Sequence, residues 1–273
     1  MIPPRWLPFA IPFLLSSAPL ASAEGTFTWS ATSGPERASL IELYSSEGCS
    51  SCPPADRWLA GLRKDPGLWK RFVPLGFHVD YWNRLGWVDR FSNQAFTERQ
   101  SRYASEWKSE SVYTPEFVLN GSEWKSLLQR QADSAPRTQA GLLKARQVGP
   151  RRFTVSFAPS SSLAPELAKA GRTGGWTVHG AWLGNGLETE VKNGENTGRK
   201  LSHEFVVLAL GSVALPASPM GSSTPVDLEL PVPSPSVSSD SGSQPRSRSV
   251  AFWVTARGSS TPVQAVGGDL PGS

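Results

Sequence analysis

The apolar positions near the N-terminus fall into short runs whose spacing predicts a strand, a helix and a second strand. Residues 40–44 are mostly apolar and predict a short buried strand. Trp58, Leu59 and Leu62 recur at helical spacing and predict a helix behind that strand. Between residues 72 and 80 the apolar positions alternate, which predicts a second strand. A strand–helix–strand unit of this kind favours two parallel strands with a right-handed connection.

Further patterns extend this unit toward residue 134. Residues 92–108 place several aromatic side chains near one helical face, which predicts a second helix with Ser92 as its N-cap. A short strand then leads into Asn120-Gly121, a pair typical of the tight turn in a β-hairpin. Residues 126–132 predict a short helix after the hairpin. These elements together predict an α/β domain over residues 39–134.

The pattern changes at about residue 135, where short runs rich in β-branched residues alternate with turn signals. Such a pattern predicts an antiparallel β-rich, sandwich-like domain over residues 135–273. Residues 231–248 are rich in proline and serine and predict a flexible loop within it. The predicted strands are residues 153–157, 176–183, 201–210, 226–232, 250–255 and 262–266.

Residues 1–23 have the features of a secretory signal peptide. Arg5 supplies a positive charge before an apolar stretch, and the Ala-Ser-Ala sequence at residues 21–23 fits the cleavage pattern. We expect cleavage before Glu24 and a polar leader at residues 24–38, with retention as an uncleaved anchor as the alternative. The segment is too short and too interrupted by proline to span a membrane as a helix. The sequence therefore predicts a periplasmic or secreted protein without a stable membrane span after cleavage.

The composition disfavours several classes of function. The 273 residues include 27 Lys and Arg against 23 Asp and Glu, a net charge of +4. The basic residues are scattered rather than clustered, so we expect no nucleic-acid partner. The sequence contains no G-x-S-x-G, H-E-x-x-H or phosphate-binding glycine loop, which disfavours hydrolase, metalloprotease and nucleotide-binding functions. Two of the three histidines, His179 and His203, lie in predicted strands and are interpreted as structural.

The two cysteines of the chain, Cys49 and Cys52, form a C-x-x-C motif between the first predicted strand and the first predicted helix. Unpaired backbone N–H groups and the positive end of the helix favour a thiolate at this position. We expect Cys49, at the exposed mouth of the helix, to be the attacking sulfur, and Cys52 to resolve the mixed disulfide. A structural disulfide and half of a zinc site are the alternatives for a bare C-x-x-C motif.

His78 and Asp80 end the second predicted strand. Because the carboxyl ends of parallel strands gather at one edge of a sheet, we expect both residues near Cys49. His78 would stabilise the thiolate or carry a proton to the leaving sulfur, although a backbone carbonyl would also satisfy its ring. Asp80 would orient His78 or cap the next turn. Cys49, Cys52 and His78 also suit Cu(I) or Zn, so metal binding is the main competing function.

The dipeptide Thr114-Pro115 stands directly before the strand of the predicted hairpin. A cis peptide there would expose the preceding backbone N–H and C=O to an extended partner chain beside the sulfur. A trans proline at the start of an edge strand is the alternative, and the segment alone leaves both open. Residues 81–91, which include Trp82, are predicted to form a loop over the site. Thr114, Pro115 and Trp82 are therefore the candidate partner-binding residues.

Long motifs in the chain resemble the secreted, thioredoxin-like bacterial family known as domain-of-unknown-function family 1223. The motifs are LIELYSSEGCSSCPPAD, FHVDYWNRLGWVDRFSNQAFTERQSRYA and VYTPEFVLNG, with GENTGRKLSHEFVVLAL and QAVGG further on. The resemblance implies a thioredoxin-like α/β domain, a β-α-β-β-β-α core with a helical insertion. It also implies Cys49 and Cys52 as the redox pair and a cis Pro115 opposite them. The family has no settled activity to transfer, and Ser50-Ser51 between the cysteines leaves the direction of electron flow open.

These patterns predict an exported thiol–disulfide oxidoreductase that works through Cys49, Cys52 and His78 and needs no cofactor. Its expected partners are exported proteins that carry a disulfide or thiols. Two alternatives stay open at this point. One is copper or zinc binding through the cysteines and His78, and the other is a non-catalytic binding module in which the disulfide is only structural.

Overall fold

The computed structural model of the protein describes residues 28–125, 132, 137–163, 165, 169, 174–216, 224–233 and 244–272. The predicted signal peptide, nearly all of the predicted helix at 126–132 and much of the predicted loop at 231–248 lie outside these residues. Neither described α-helix has the length and apolar composition needed to cross a bilayer.

Strands dominate the described residues, and the two α-helices that are described from end to end both lie in the N-terminal half. The helices are α1 (Pro53–Gly61) and α2 (Gln94–Trp107). The strands are β1 (Ser30–Thr32), β2 (Ser39–Ser45), β3 (Phe72–His78), β4 (Glu116–Leu119), β5 (Ser122–Glu123), β6 (Gly141–Gln147), β7 (Arg152–Pro159), β8 (Trp176–Asn185), β9 (Leu187–Glu190), β10 (Lys200–His203), β11 (Val206–Leu215), β12 (Val226–Glu229), β13 (Ser247–Ala256) and β14 (Pro262–Asp269).

An eight-stranded mixed sheet forms the centre of the molecule, in the order β14-β13-β8-β11-β3-β2-β4-β5. The predicted parallel pair is confirmed as β2 and β3, with Leu43 opposite Gly76. The sheet continues past β3 because β11 pairs with it in parallel at Val206. A second sheet has the order β1-β6-β7-β12, and β9 and β10 form a separate hairpin.

Side-chain alternation along β2 sends its apolar residues to opposite faces of the large sheet. Leu40 and Tyr44 join the core that contains Phe96 of α2, whereas Ile41 and Leu43 join the core that contains residues of α1. The two helices therefore cover opposite faces. The four-stranded sheet packs on the β8–β14 end through a third core that includes Phe153, Phe157 and Phe252.

The predicted fold class is wrong. The chain is not a thioredoxin-like α/β domain followed by a separate antiparallel β-rich sandwich-like domain, because strands from both sides of residue 134 share one sheet. Residues of the two halves also share one core, in which Tyr44 and Phe77 lie with Trp253 and Ala265. The runs that predicted C-terminal strands do form strands, but most of them extend the sheet that β2 and β3 begin.

Two local predictions have different outcomes. The Asn120-Gly121 turn is confirmed: both residues have positive φ, 51° and 83°, between the antiparallel strands β4 and β5. Ser92 as the N-cap of α2 is wrong, because the cap is Asn93, whose side chain accepts a hydrogen bond from Ala95 N. The Ser92 hydroxyl instead donates to the Asp89 carbonyl.

Candidate functional site

The C-x-x-C motif lies where β2 ends and α1 begins. After Ser45 the chain turns, with Cys49 N donating to the Ser46 carbonyl at 3.1 Å. Cys52 is the N-cap position of α1, and prolines occupy the first two helical positions, where no N–H partner exists within the helix. The predicted strand–turn–helix arrangement around the cysteines is therefore confirmed.

Both cysteines are free thiols and both are buried, with 0% of either residue exposed. The prediction that Cys49 is exposed at the mouth of the helix is wrong in this conformation. Its sulfur lies 3.2 Å from Ser51 Oγ and 3.8 Å from the Thr114 carbonyl oxygen. A partner therefore reaches Cys49 only after some neighbouring group moves.

The two thiols differ sharply in acidity. A hydrogen bond from Cys52, aided by bonds from Ser51, outweighs the effect of burial and lowers the pKa of Cys49 to about 6. Burial, together with its hydrogen bond to Cys49, raises the pKa of Cys52 far above the usual range of a thiol. With these pKa values, Cys49 is a thiolate at neutral pH and Cys52 stays protonated.

The three candidate partner-binding residues lie beside Cys49. The Thr114–Pro115 peptide bond is cis, as the family resemblance implies. Trp82 donates from Nε1 to Thr114 Oγ1 at 2.8 Å, and a Cβ added to Gly48 would lie 3.2 Å from Trp82 Cβ. The loop that carries Trp82 therefore packs against the cysteine loop, residues 47–51, on one side and against residue 114 on the other.

His78 lies at the end of β3, as predicted, but its Nδ1 atom is 2.6 Å from Asp89 Oδ2. Although burial opposes the charged form, attraction to Asp89 raises the pKa of His78 to about 9. Asp80, the predicted partner of His78, instead accepts a hydrogen bond from Thr97 at the start of α2. His78 is thus a charged residue held behind the cysteine loop by Asp89.

Several buried ionisable residues lie near the cysteines without having been predicted there: Glu47 and Asp56 carried no assignment, and His203 was interpreted only as a structural residue. His203 Nε2 lies 3.4 Å from Glu47 Oε1, and its ring centroid is 4.9 Å from that of His78. Asp56, one turn after Cys52, accepts a hydrogen bond from Ser45, and burial raises its pKa. No rule of spacing links these residues, because they come from four separate segments of the chain.

A turn at residues 194–198 between β9 and β10, the 194–198 turn, also contacts the cysteine loop. The buried Asn196 side chain donates to the carbonyls of Glu47 and Cys49 at 2.8 and 2.9 Å. The Ser50 amide donates to Glu195 Oε2 at 3.0 Å. The sequence signal for this turn was its presence in the motif GENTGRKLSHEFVVLAL, which carried no assignment of role.

The described part of the chain contains no group of three or more His, Cys, Asp and Glu side chains arranged to hold a metal ion. The predicted donor set would need His78 beside the two sulfurs, whereas its ring is paired with Asp89. The buried residues around His203 contact one another in pairs and leave His203 Nδ1, His203 Nε2 and Glu47 Oε1 without a hydrogen bond to any described residue.

Comparison with solved structures supports the observed fold. A crystal structure of a protein from Agrobacterium tumefaciens has a TM-score of 0.56 and 23% identity, covering 88% of this chain and 97% of the other. HBP35 of Porphyromonas gingivalis has a TM-score of 0.56 and 12% identity, covering 88% of this chain and 77% of the other. At these identities the likeness concerns the fold alone. A search of curated proteins finds no match.

The sequence pattern of one protein family matches the chain. The family is described as "Protein of unknown function (DUF1223)", and the match runs from residue 40 to residue 243. This range includes the C-x-x-C motif, Thr114-Pro115 and the 194–198 turn. Because the match covers more than half of the 273 residues, the chain belongs to the DUF1223 family.

Proposed function

We propose that this protein carries out thiol–disulfide exchange through Cys49 and Cys52. The proposal is supported by the position of the two cysteines at the start of α1, together with the unequal acidity of their thiols. Cys49 has a lowered pKa and contacts the Thr114 carbonyl, whereas burial and the hydrogen bond to Cys49 raise the pKa of Cys52 and keep it protonated. Cys49 can thus attack a partner disulfide, and Cys52 reacts only after a mixed disulfide has formed.

The exchange balances with no species other than the partner. The Cys49 thiolate attacks one sulfur of a partner disulfide, a Cys49–partner bond forms, and the second partner sulfur leaves as a thiolate. Cys52 then loses its proton and attacks Cys49 Sγ, which releases the first partner sulfur. The partner gains two electrons and the proton of Cys52 overall, one of its two sulfurs is left as a thiolate, and Cys49–Cys52 becomes a disulfide. The reverse sequence oxidises a partner dithiol, and both directions follow the same steps.

Asp56 is the first residue with a carboxyl group after Cys52 and lies in the first turn of α1. Burial keeps its pKa raised, which suits a group that accepts a proton and returns it. Asp56 also lines a groove of about 120 Å³ together with Arg57 and Lys200, so its proton has a route to solvent. His78 takes no direct step in this mechanism, because its charge is committed to Asp89.

The partner chain would lie beside Thr114 and Pro115, with Trp82 against it. Thr114 and Pro115 are half-buried, and the neighbouring Tyr113 is exposed. Leu85 and Val88, in the same loop as Trp82, are also exposed large apolar residues. Exposed apolar side chains in the two segments that carry Thr114 and Trp82 suit contact with an extended polypeptide segment that carries a cysteine. The proposed partners are exported proteins, in keeping with the signal peptide proposed at residues 1–23.

A second candidate function is a binding module in which the cysteines form only a structural disulfide. The complete burial of Cys49 and Cys52 favours it, since structural disulfides are protected from solvent thiols. The two functions differ in reduction potential. A working couple is expected above about −300 mV, and a structural disulfide below it.

Trapping tests the proposed exchange. The Cys52→Ser variant, expressed with its export signal, should accumulate mixed disulfides that disappear on reduction, because the resolving thiol is gone. The double variant Cys49→Ser/Cys52→Ser is the matched control and should trap nothing. If the single variant traps no more than the double variant, and the reduction potential lies below about −300 mV, the structural-disulfide function is the correct one.

A further inference from the structure

The thiolate that the proposed exchange requires is sealed inside the protein. Cys49 exposes none of its surface, although its neighbours Ser50 and Ser51 are exposed. The cysteine loop, residues 47–51, must therefore shift before a partner sulfur can meet Cys49 Sγ. The contacts that hold this loop decide how often it opens.

The 194–198 turn supplies three of those contacts from a distant part of the chain. Both amide hydrogens of Asn196 are used, one on each of the carbonyls of Glu47 and Cys49. Glu195 accepts the hydrogen bond of the Ser50 amide. The turn thus binds three of the five residues of the cysteine loop through their backbones.

The turn is built to keep Asn196 in place. Gly194 and Gly198 have positive φ, 76° and 80°, which glycine adopts without strain. Arg199 donates to Asn196 Oδ1 at 3.1 Å, and Thr197 Oγ1 donates to the Gly194 carbonyl at 2.6 Å. Asn196 is completely buried, so its donors have no water to exchange with in this conformation.

We propose that the 194–198 turn is a latch that holds the cysteine loop closed over Cys49, and that its release admits the partner. This inference rests on the proposed exchange function and adds a gating role for Asn196 and Glu195, which act as positioning residues. Without Asn196, two buried carbonyls lose their hydrogen-bond donors. The free energy of the closed form then rises relative to that of an open form in which water donates to these carbonyls.

Alkylation of Cys49 by iodoacetamide in the reduced, full-length protein tests the latch, because this reagent needs no partner disulfide. Rates are measured from pH 4 to pH 9, and mass spectrometry assigns the modified cysteine. At high pH, where Cys49 is fully ionised, the alkylation rate reaches a plateau. Asn196→Ala should raise this plateau rate about tenfold. Glu195→Ala, whose wild-type side chain is exposed, should raise it about threefold.

Asn185→Ala is the matched control. Asn185 is also a buried asparagine, but its hydrogen bonds go to Ser249 Oγ and the Phe205 amide, away from the cysteine loop. Its plateau rate should equal that of the wild type. A plateau in Asn196→Ala that is unchanged, or raised no more than in Asn185→Ala, overturns the latch. If Asn196→Ala does not fold, an unchanged plateau in Glu195→Ala overturns it.

The two proposals fail in different ways. Faster alkylation in the latch variants, combined with no trapped partner for Cys52→Ser, leaves the latch standing and removes the exchange function. Trapped partners combined with unchanged alkylation leave the exchange function standing and remove the latch.

Discussion

His78 and Asp89 form an ion pair inside the protein: the Nδ1 and Oδ2 atoms are 2.6 Å apart, and the side chains are 2% and 0% exposed. Asp89 also accepts hydrogen bonds from the Glu47 and Phe91 amides. The carboxylate therefore has donors from three segments. Through the Glu47 amide, this pair supports the cysteine loop from behind without contacting either sulfur.

The pair should make stability depend on pH. The pKa of His78 is raised to about 9 in the folded protein, from an ordinary value near 6.5. Its contribution to stability is therefore fully present below pH 6.5 and is lost as pH rises through 9. We expect Asp89→Asn to remove this contribution, about 3 kcal/mol at most, at pH 6.5 and to matter less at pH 10. Urea unfolding of both proteins at the two pH values measures it.

At each pH, the free energy of unfolding of Asp89→Asn is subtracted from that of the wild type, and the two differences are compared. The subtraction is needed because Glu116 and Cys49 also titrate with shifted pKa values in or near this range. A wild-type advantage that stays constant from pH 6.5 to pH 10 would contradict the ion pair.

The acidity of Cys49 should depend on its partner thiol. We expect the rate of alkylation of Cys49 to rise with a midpoint near pH 6, because its pKa is lowered to about 6. Cys52→Ala should move this midpoint toward the ordinary range of a thiol, since the Cys52 hydrogen bond is the largest cause of the shift. Cys52→Ser keeps a donor and should give an intermediate midpoint. A wild-type midpoint above pH 8 would rule out the proposed thiolate.

The buried pair Glu42–Arg99 should be costly to break by removal of one partner. Arg99 donates twice to the Glu42 carboxylate, at 2.7 and 3.0 Å, and Tyr44 and Tyr103 donate to the same group. We expect Arg99→Met to lower the free energy of unfolding by about 3–5 kcal/mol, because it leaves a buried carboxylate without its counter-charge. Chemical denaturation provides the measurement.

The matched control for that prediction is the double variant Glu42→Gln/Arg99→Met. It removes both charges and keeps an acceptor for the tyrosine hydroxyls, so it should be more stable than Arg99→Met alone. If the double variant is the less stable of the two, the loss comes from packing rather than from the unpaired charge.

The shared sheet makes a prediction about fragments. We expect residues 39–134 alone to remain unfolded, because β3 loses its neighbour β11 and the core around Tyr44 and Phe77 loses Trp253 and Ala265. The Arg99 guanidinium would also lose the ring of Trp253, which lies 5.1 Å away. Circular dichroism during urea titration should show no cooperative transition for the fragment. A cooperative transition like that of the full chain would contradict the fold described above.

The sequence predicted the elements of this fold better than their assembly. Alternation identified β2 and β3, and Asn120-Gly121 identified the β4–β5 turn, because these signals lie within a few residues. Whether β3 has another strand beside it is decided by Val206 and its neighbours, far along the chain, and strand periodicity carries no information about that pairing. A buried β11 has the same pattern whether it joins this sheet or a second one.

The sequence also predicted some residues of the candidate site and missed others. Cys49, Cys52, Thr114, Pro115 and Trp82 were found because the motifs and the end of each strand placed them together. Asp89 was missed as the partner of His78 because Asp80, two residues away on the same strand end, was the nearer candidate in sequence. Asn196 was missed because a single asparagine in a polar turn has no distinguishing signal before the fold is known.

The hydrogen bond between Ser50 and Glu195 joins residues that are 145 positions apart. Contacts of such long sequence separation form late, since the chain between them must first be ordered. During synthesis, the segment with both thiols emerges well before the turn that encloses it. The nascent protein therefore passes through a period in which Cys49 is open to any oxidant, and a folding factor or a reducing partner acting at that stage would protect it.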